Sequence, residues 1–303
     1  MIVTRTHRSA RGAALVVAML LTALGAAVAV QMIVPLSGWL EREYRARDTQ
    51  ASYTLADASA AWALTVLAAD ARLGPVDHYG ELWATPLPAT PVEGGSIEGR
   101  ITDLQARFNL NSVAPRGVRS APNIALARTL FAQAGVPVGL VDVLADSIDR
   151  DEISDDGQSE RQRYGRNLRN APLRRFADLL DVPGITEAHV SALMAAVTVL
   201  PEATPINANT AAPALIAAAF PRATRETLDR AIARRAQQPF ASAGDLAAAI
   251  GQPLPDSMFS ANTQYFAVDA TIRFERAAHR VQLQIARPPN ARPIVISRLI
   301  ANA

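Results

Sequence analysis

RGAALVVAMLLTALGAAVAVQMIV, residues 11–34, is the stretch that decides how this chain is organised. From Ala13 to Val34 it contains no charged side chain. A helix of that length would reach roughly 33 Å at about 1.5 Å per residue, enough to cross the hydrocarbon core of a bilayer. The run is longer than the apolar core of a secretory signal, and no small-x-small cleavage site follows it. The sequence therefore predicts a transmembrane helix over residues 13–35.

The charges on the two sides of this run predict its orientation. Three arginines and no acid lie in residues 1–12, whereas residues 41–48 hold three acids and three arginines. Because positive charge is retained on the cytoplasmic side, we expect a single-pass protein whose N-terminus lies in the cytoplasm and whose main domain lies across the membrane. An ordinary signal anchor shares these two features and remains an alternative on this stretch alone.

The basic segment of residues 1–12 and the start of the helix together give a more specific signal. A short basic segment, a glycine and an uncharged helix that starts at once resemble the signal of type IV prepilin-like proteins. The resemblance implies that a prepilin peptidase cuts between Gly12 and Ala13, which leaves a 1–12 leader peptide, and that the new N-terminus is methylated. Most pilins and pseudopilins have Glu at the fifth mature position, which is Val17 here. Since a carboxylate in hydrocarbon is tolerated only when paired, a subunit without it suits a filament tip.

Composition narrows the classes of function. All 30 basic residues are arginine, and the formal charge of +2 becomes about −1 once the three leader arginines are removed, 27 against 28 acids. That balance gives no support for nucleic-acid binding. The absence of cysteine excludes disulfides and thiolate metal sites. The four histidines are scattered, and the sequence lacks the common hydrolase, nucleotide and zinc-protease motifs, so we expect no enzyme.

Between the membrane helix and residue 108 the chain is predicted to pass from helix to strand. The helical pattern continues to Leu73 and is interrupted only at Pro35. Glycines and prolines over residues 74–95 predict a surface loop. Alternation over residues 96–104 then predicts a strand. We assign residues 36–108 to this helix, loop and first strand.

Residues 109–260 have the pattern of a set of short helices. An Asn-x-Asn sequence opens this region at Asn109 and recurs at Asn207, each time before a helix, and asparagine side chains cap helix N-termini. Two such openings predict two related helical units. The predicted helices are Ile124–Ala134, Val138–Ile148, Leu173–Leu180, Glu187–Val199, Ala212–Ala219, Arg225–Gln237 and Ala243–Ile250.

Residues 261–303 return to strand periodicity. Apolar and polar residues alternate up to Phe274 and again from Val281, which predicts an antiparallel hairpin with its turn at Arg276–His279. A further strand is predicted over Ile294–Ile300. Strand segments thus bracket a large helical block, and the predicted fold class is α+β, an antiparallel sheet with a helical insertion.

Two stretches of the insertion could carry chemistry. Residues 145–160 hold seven carboxylates around a glycine, and calcium prefers six to eight oxygen ligands, although the spacing is not that of an EF-hand. A solvated acidic loop is the alternative. Residues 179–186 resemble the hairpin of a helix-hairpin-helix unit, which occurs in DNA binders and in structural modules. No Lys or Arg lies between Asp178 and Pro221, so the structural interpretation is favoured.

In order, these features resemble the protein K family of type II secretion systems, the large minor pseudopilins. Ser147 occupies the position where that family typically has Trp. The family's Gly-Ala-Glu motif corresponds here to Gly157-Gln-Ser-Glu160, which is one residue longer. The resemblance rests on the leader with Gly12-Ala13 and on five later motifs: Phe108-Asn-Leu-Asn111; Asp146-Ser-Ile-Asp149-Arg-Asp151 with Glu160 and Tyr164; Val182-Pro-Gly-Ile185; Ile206-Asn-Ala-Asn-Thr-Ala211; and Tyr265-Phe-Ala-Val268.

The resemblance implies a pilin-like membrane helix and sheet, with an all-helical insertion of the SAM-like or helix-hairpin-helix-like kind that binds calcium. It also implies a minor pseudopilin that caps the periplasmic pseudopilus and helps to start its assembly with minor pseudopilins I and J. A membrane-anchored DNA-uptake protein and an anchored periplasmic hydrolase are the competing hypotheses. The implied calcium ligands are Asp149, Asp151, Asp155, Asp156 and Glu160.

Overall fold

The computed structural model describes residues 9–154, 156–254, 257–274 and 277–302. The helices are α1 (Ser9–Asp70), α2 (Ala121–Gln133), α3 (Leu140–Ile148), α4 (Glu160–Tyr164), α5 (Glu187–Leu193), α6 (Pro213–Ala219), α7 (Arg225–Gln237) and α8 (Ala243–Ile250). The strands are β1 (Leu87–Val92), β2 (Gly95–Asp103), β3 (Phe108–Asn109), β4 (Val197–Thr198), β5 (Ile206–Asn207), β6 (Phe259–Ser260), β7 (Tyr265–Phe274), β8 (Ala277–Ala286) and β9 (Ile294–Asn302).

One helix of 62 residues, α1, joins the apolar N-terminal run to the rest of the protein. Its segment Ala13–Met32 has a mean hydropathy of 2.5 and none of it is buried, so it fits a single-pass membrane anchor. The predicted interruption at Pro35 is wrong, because the helix passes through it and ends at Asp70. A proline removes one hydrogen bond, and the bonds of the surrounding turns are enough to continue a helix of this length.

The distal end of α1 packs on a five-stranded antiparallel sheet whose order is β1-β2-β7-β8-β9. Ala63 and Leu67 of α1 lie in one core with Trp83 and with the inward side chains of β7 and β8. Trp83 meets Phe266 edge to face, with ring centroids 5.3 Å apart. Alanines on α1 let the helix approach the sheet closely, and this core is the α+β arrangement that the sequence predicts.

Two predictions for the sheet need correction. Residues 74–95 are not only a loop, because β1 forms within them and pairs with β2. Its two prolines, Pro88 and Pro91, are tolerated since β1 is the edge strand and needs no outward amide. The predicted turn at Arg276–His279 is too long, because His279 pairs with Ile272 and β8 already starts at Ala277. The alanines at the start of β8 are small and the polar face of this strand is exposed. These residues therefore pair with β7, although their types are typical of a turn.

The insertion has a hydrophobic core of its own, to which α2, α3 and α5 to α8 contribute. The predicted helices over Leu173–Leu180 and Glu187–Val199 are partly wrong. The first is a 3-10 helix at Phe176–Asp181. The second ends at Leu193, and the residues after it form β4, which pairs in parallel with β3. A second short parallel pair joins β5 to β6. Long-range pairing of two residues therefore overrides the local helical pattern.

The insertion contains two helical units built on the same asparagine contact. In the first helical unit, residues 108–204, Asn111 Nδ2 donates to the Leu173 carbonyl at 2.8 Å and Asn111 Oδ1 accepts from the Leu173 amide at 2.8 Å. In the second helical unit, residues 206–260, Asn209 binds the carbonyl and amide of Phe240 in the same way, at 3.0 and 2.8 Å. The predicted relation between the two Asn-x-Asn openings is therefore present in their hydrogen bonds.

A buried aspartate connects the sheet to the second helical unit. Asp103, at the end of β2, accepts hydrogen bonds from Asn207 Nδ2 at 2.9 Å and from Thr210 Oγ1 at 2.6 Å. Burial raises the pKa of Asp103, and these donors act against that increase. The polar contacts at this boundary are thus satisfied, which fixes the insertion on the end of the sheet.

We expect Asn209→Ala to destabilise the protein by roughly 2–4 kcal/mol, because the backbone N–H and C=O of Phe240 would be left buried without partners. The change would appear as a lower thermal unfolding midpoint of the full chain in detergent. Asn262→Ala is the matched control, since Asn262 is exposed. Equal midpoints for the two variants would contradict this role of Asn209.

Candidate functional site

The acidic loop, residues 149–160, connects α3 to α4. It is closed by an isolated bridge between Ile153 and Ser159, and the Glu160 amide donates to the Glu152 carbonyl at 3.0 Å. This closure brings the start of α4 back beside the end of α3. The loop therefore places residues from both of its ends in one site.

Three carboxylates meet there. Asp149, Asp151 and Glu160 each offer an oxygen, and these oxygens all lie within 4.8 Å of one another. Asp149 and Glu160 are 1% and 2% exposed. Among the described residues, no donor reaches either oxygen of Asp149 or Oε1 of Glu160. Buried carboxylates without donors are costly, so this arrangement is one that a hard cation would stabilise.

The electrostatics of the acidic loop agree with that interpretation. Burial, together with the charges of Asp151, Asp146 and Glu160, raises the pKa of Asp149 to about 7. Burial is also the main reason that the pKa of Glu160 is raised. Near neutral pH the metal-free site therefore holds either a proton or unfavourable negative charge.

Of the other two predicted ligands, one has other partners and one lies outside the described residues. Asp156 Oδ1 accepts from Ser154 Oγ at 2.6 Å and from the Gln158 amide at 3.1 Å, and its other oxygen pairs with Arg163. Asp155, a predicted ligand, is among the residues that the structure does not describe. The structure therefore brings together three of the five predicted ligands, and the calcium site remains a prediction.

Asp146 supports the site by connecting the elements on both sides of the acidic loop. Its carboxylate pairs with Arg119 and accepts a hydrogen bond from the Tyr164 hydroxyl at 2.6 Å. Burial and this contact raise the pKa of Tyr164. Because Asp146 lies on α3 and Tyr164 on α4, the bond holds the two helices that carry Asp149 and Glu160.

Sequence analysis did not identify Asn170 as part of this site. Asn170 Nδ2 donates to the Asp151 carbonyl, and its Oδ1 is buried without a donor among the described residues. Its backbone is left-handed, with φ of 49°, which asparagine tolerates better than most residues. No local pattern predicts this contact, since Asn170 lies beyond α4 and outside the carboxylate-rich stretch.

Ser147 lines an open cleft next to the site. The cleft has a volume of about 310 Å³, and Leu173 and Val182 lie on its walls. The Ser147 hydroxyl donates to the Val143 carbonyl at 2.7 Å, within its own helix. A small side chain at this position therefore leaves space between α3 and the hairpin of residues 179–186.

That hairpin is packed into the insertion. Val182 and Ile185 are buried, and their amides donate to the carbonyls of Leu179 and Val182 at 3.1 Å. Gly184 has φ of 86°, and a Cβ on it would lie 2.8 Å from Leu140 Cδ2. The hairpin therefore needs glycine for close packing, and the amides of Val182 and Ile185 are not free to bind a phosphate.

The predicted processing residues lie at the other end of the molecule. Gly12 and Ala13 are both in the first two turns of α1, and Ala13 is exposed. They have no spatial relation to the acidic loop. The cleavage itself remains a prediction.

Comparisons with known proteins agree with one another. Family models described as "Type II secretion system (T2SS), protein K" match residues 106–202 and 206–269. Type II secretion system protein K of Pseudomonas aeruginosa is 32% identical over 228 residues, and that of Klebsiella pneumoniae is 30% identical over 241 residues. The two alignments cover 67% and 71% of this chain, and 66% and 71% of the relatives.

A solved structure shares the fold. It is the crystal structure of the GspK-GspI-GspJ complex from the enterotoxigenic Escherichia coli Type 2 Secretion System. The match has a TM-score of 0.70 at 20% identity and covers 86% of this chain and 100% of that one. The resemblance seen in the sequence is confirmed: this chain belongs to the protein K family of type II secretion systems.

Proposed function

We propose that this protein is a minor pseudopilin that caps the tip of the periplasmic pseudopilus and helps to start its assembly. The observation that carries the proposal is α1, a single helix whose apolar end is unpacked and whose other end is built into the head. A fibre grows by stacking such helices side by side. The insertion adds a second core to the head, and a head of that size does not fit a repeating position.

The proposed partners are other minor pseudopilins of the I and J types. The structure that shares this fold was solved in a complex with GspI and GspJ, which supports such an assembly for this chain. We propose that α1 packs against partner helices through Gly25, Ala26, Ala27 and Ala29, since small residues allow close approach within a membrane. A Cβ added at Gly25 would meet no atom within 4 Å, so this surface is open in the isolated chain.

We further propose that prepilin peptidase cuts between Gly12 and Ala13, and that the inner membrane holds the protein with its head in the periplasm. The three arginines before Gly12 support this orientation, and the mass of the mature N-terminus would test the cleavage. We propose a structural role, because the matched family is described as a protein of the type II secretion system and not as an enzyme. The DNA-uptake hypothesis finds no support in the hairpin, whose amides at Val182 and Ile185 are already bonded.

We propose that the acidic loop binds calcium through Asp149, Asp151 and Glu160. The unpartnered oxygens of Asp149 and Glu160 support this, because calcium takes oxygen ligands and would replace their missing donors. Asn170 Oδ1 is a further oxygen near the site. Bound calcium would join α3 to α4 and would order the loop between them.

If the protein caps the pseudopilus, a small epitope tag on its head should label one end of each fibre. The measurement is immunogold electron microscopy of sheared pseudopili from a strain that produces the tagged protein as its only copy. A strain lacking the protein should form few fibres and should secrete little substrate. Label distributed along the fibre shaft would contradict the tip position, and normal fibre number without the protein would contradict a role in initiation.

Glu160→Gln should weaken calcium binding by about tenfold or more, because calcium affinity follows the number of charged ligands. The measurement is the rise in thermal unfolding midpoint when calcium is added to the chelated full chain. Glu152→Gln is the matched control, being the same change in the same loop on an exposed side chain. A full calcium response in Glu160→Gln would remove Glu160 from the ligand set.

Without calcium, the protein should lose stability as the pH rises from about 4 to about 7. The folded state holds a proton on Asp149 through this range, whereas the unfolded state releases it near the ordinary pKa of 3.8. Raising the pH therefore favours unfolding, by at most about 4 kcal/mol for a shift of this size.

Asp149→Asn isolates this contribution, because it removes the titrating group and keeps the side-chain shape. Unfolding free energies of the two chelated proteins, measured against pH, should diverge between about pH 4 and 7, with the variant the less sensitive. Identical pH profiles would show that Asp149 is ionised in the folded protein.

A further inference from the structure

A second group of carboxylates lies where α1 meets the head. Asp70 ends α1, and Asp77 and Glu81 follow in the segment that leads to Trp83. One ligand oxygen from each of the three lies within 4.8 Å of the others. Together with Arg287, which follows β8, these residues form what we call the joint. The joint is separate from the acidic loop and shares no residue with it.

Arg287 supplies the cationic side chain that bonds to this group. Its Nη1 donates to Asp70 Oδ2 at 2.7 Å, and its Nη2 donates to Asp77 Oδ1 and to the Thr263 carbonyl. The guanidinium also lies over the Phe266 ring, 4.7 Å from its centroid. One positive charge therefore faces three negative charges, and the joint has an excess of two.

The hydrogen bonds of the joint leave specific oxygens without donors. Glu81 Oε2 accepts from the His78 amide at 2.9 Å and from Trp83 Nε1 at 2.7 Å. Asp77 Oδ2 accepts from the Thr263 amide at 2.7 Å. Asp70 is only 4% exposed, and among the described residues no donor reaches its Oδ1. Asp70 thus keeps a buried oxygen without a donor, in a group of three carboxylates that lie close together.

The charges act on one another at this distance. Burial and the neighbouring charge of Glu81 raise the pKa of Asp70 to about 6, against the lowering effect of Arg287. Burial likewise raises the pKa of Asp77. Excess negative charge in a buried site is stable only when a counter-charge is supplied.

We propose that the joint binds a divalent cation of the calcium type through Asp70 Oδ1, Glu81 and Asp77. Calcium accepts irregular sets of carboxylate oxygens and keeps water where the protein supplies too few. Arg287 bonds to Oδ2 of Asp70 and Oδ1 of Asp77, so the cation and the guanidinium would use different oxygens of Asp70. The divalent cation and the guanidinium together carry three positive charges, which would balance the three carboxylates.

The position of this site gives the cation a mechanical role. The Asp77 amide donates to the Ala261 carbonyl at 2.9 Å, and the Asp77 carbonyl accepts from Asn207 Nδ2 at 3.1 Å. Asp77 therefore contacts the insertion, whereas Asp70 belongs to the helix that enters the membrane. A cation held by both would fix the direction of α1 relative to the head.

Terbium provides a probe that separates the two sites, because it replaces calcium and emits when a nearby indole is excited. Trp83 Nε1 is bonded to Glu81 at 2.7 Å, so terbium in the joint would lie close to that indole. The acidic loop has a tyrosine, Tyr164, beside it instead. Full-length protein in detergent, carrying Asp149→Asn and Glu160→Gln, should still give tryptophan-sensitised emission that calcium quenches by competition.

Adding Glu81→Gln to that background should weaken terbium binding by about tenfold or more, since one ligand loses its charge. Glutamine keeps an oxygen for the His78 and Trp83 donors, so the fold is expected to persist. Glu98→Gln, on the exposed face of β2, is the matched control and should change nothing. Asp70→Asn should also abolish the signal, and its circular dichroism would show whether the chain remains folded.

Three results would overturn the proposal. They are absence of tryptophan-sensitised emission in the acidic-loop variant, an unchanged signal in the folded Glu81→Gln protein, and stabilisation of the joint by acid alone with no response to calcium or terbium. The last result would mean that a proton supplies the counter-charge. None of them bears on tip labelling of the pseudopilus, so the proposed function stands or falls independently.

Discussion

The shape of the head depends on buried side chains that substitute for backbone partners. Asn111 and Asn209 each bind both the amide and the carbonyl of one loop residue. A loop that crosses a core must satisfy its backbone groups, and an amide side chain can satisfy one donor and one acceptor at once. Leucine or alanine at either position would pack without meeting that need. The two Asn-x-Asn sequences are therefore the constraint around which the short helices are arranged.

How many of the helices and strands could be predicted depends on whether the residues of each element alone carry its sequence pattern. The membrane helix was predictable because its uncharged run is long, and β2 and β7 because their alternation extends over nine residues or more. For β8 the alternation predicts only the part from Val281 onward. β1 was missed because its prolines indicate a loop, and only its edge position makes them acceptable. The residues of β4 were assigned to a helix, because a two-residue parallel pair depends on β3, which is distant in sequence. A long helix or strand can thus be predicted from its own residues, whereas a strand of two residues forms through tertiary contacts.

The two carboxylate groups, the acidic loop and the joint, also differ in how far the sequence indicates them. The acidic loop was visible in the sequence because seven acids fall within fifteen residues. The sequence could not show which of them converge, since that depends on loop closure between Ile153 and Ser159. The joint was not visible at all. Its acids are sparse, and the arginine that bonds to two of them lies 217 residues from Asp70.

The acidic loop is an addition to a unit that already has a complete core. In the second helical unit, α7 ends at Gln237 and the asparagine-bound residue Phe240 follows almost directly. In the first, α3 ends at Ile148 and the corresponding Leu173 comes only after the loop and α4. Because the asparagine bond is made in both units, the loop is not required to close the fold. No described residue between Ile148 and Leu173 belongs to the hydrophobic core, so the carboxylates of the loop can be arranged for a ligand without being part of that core.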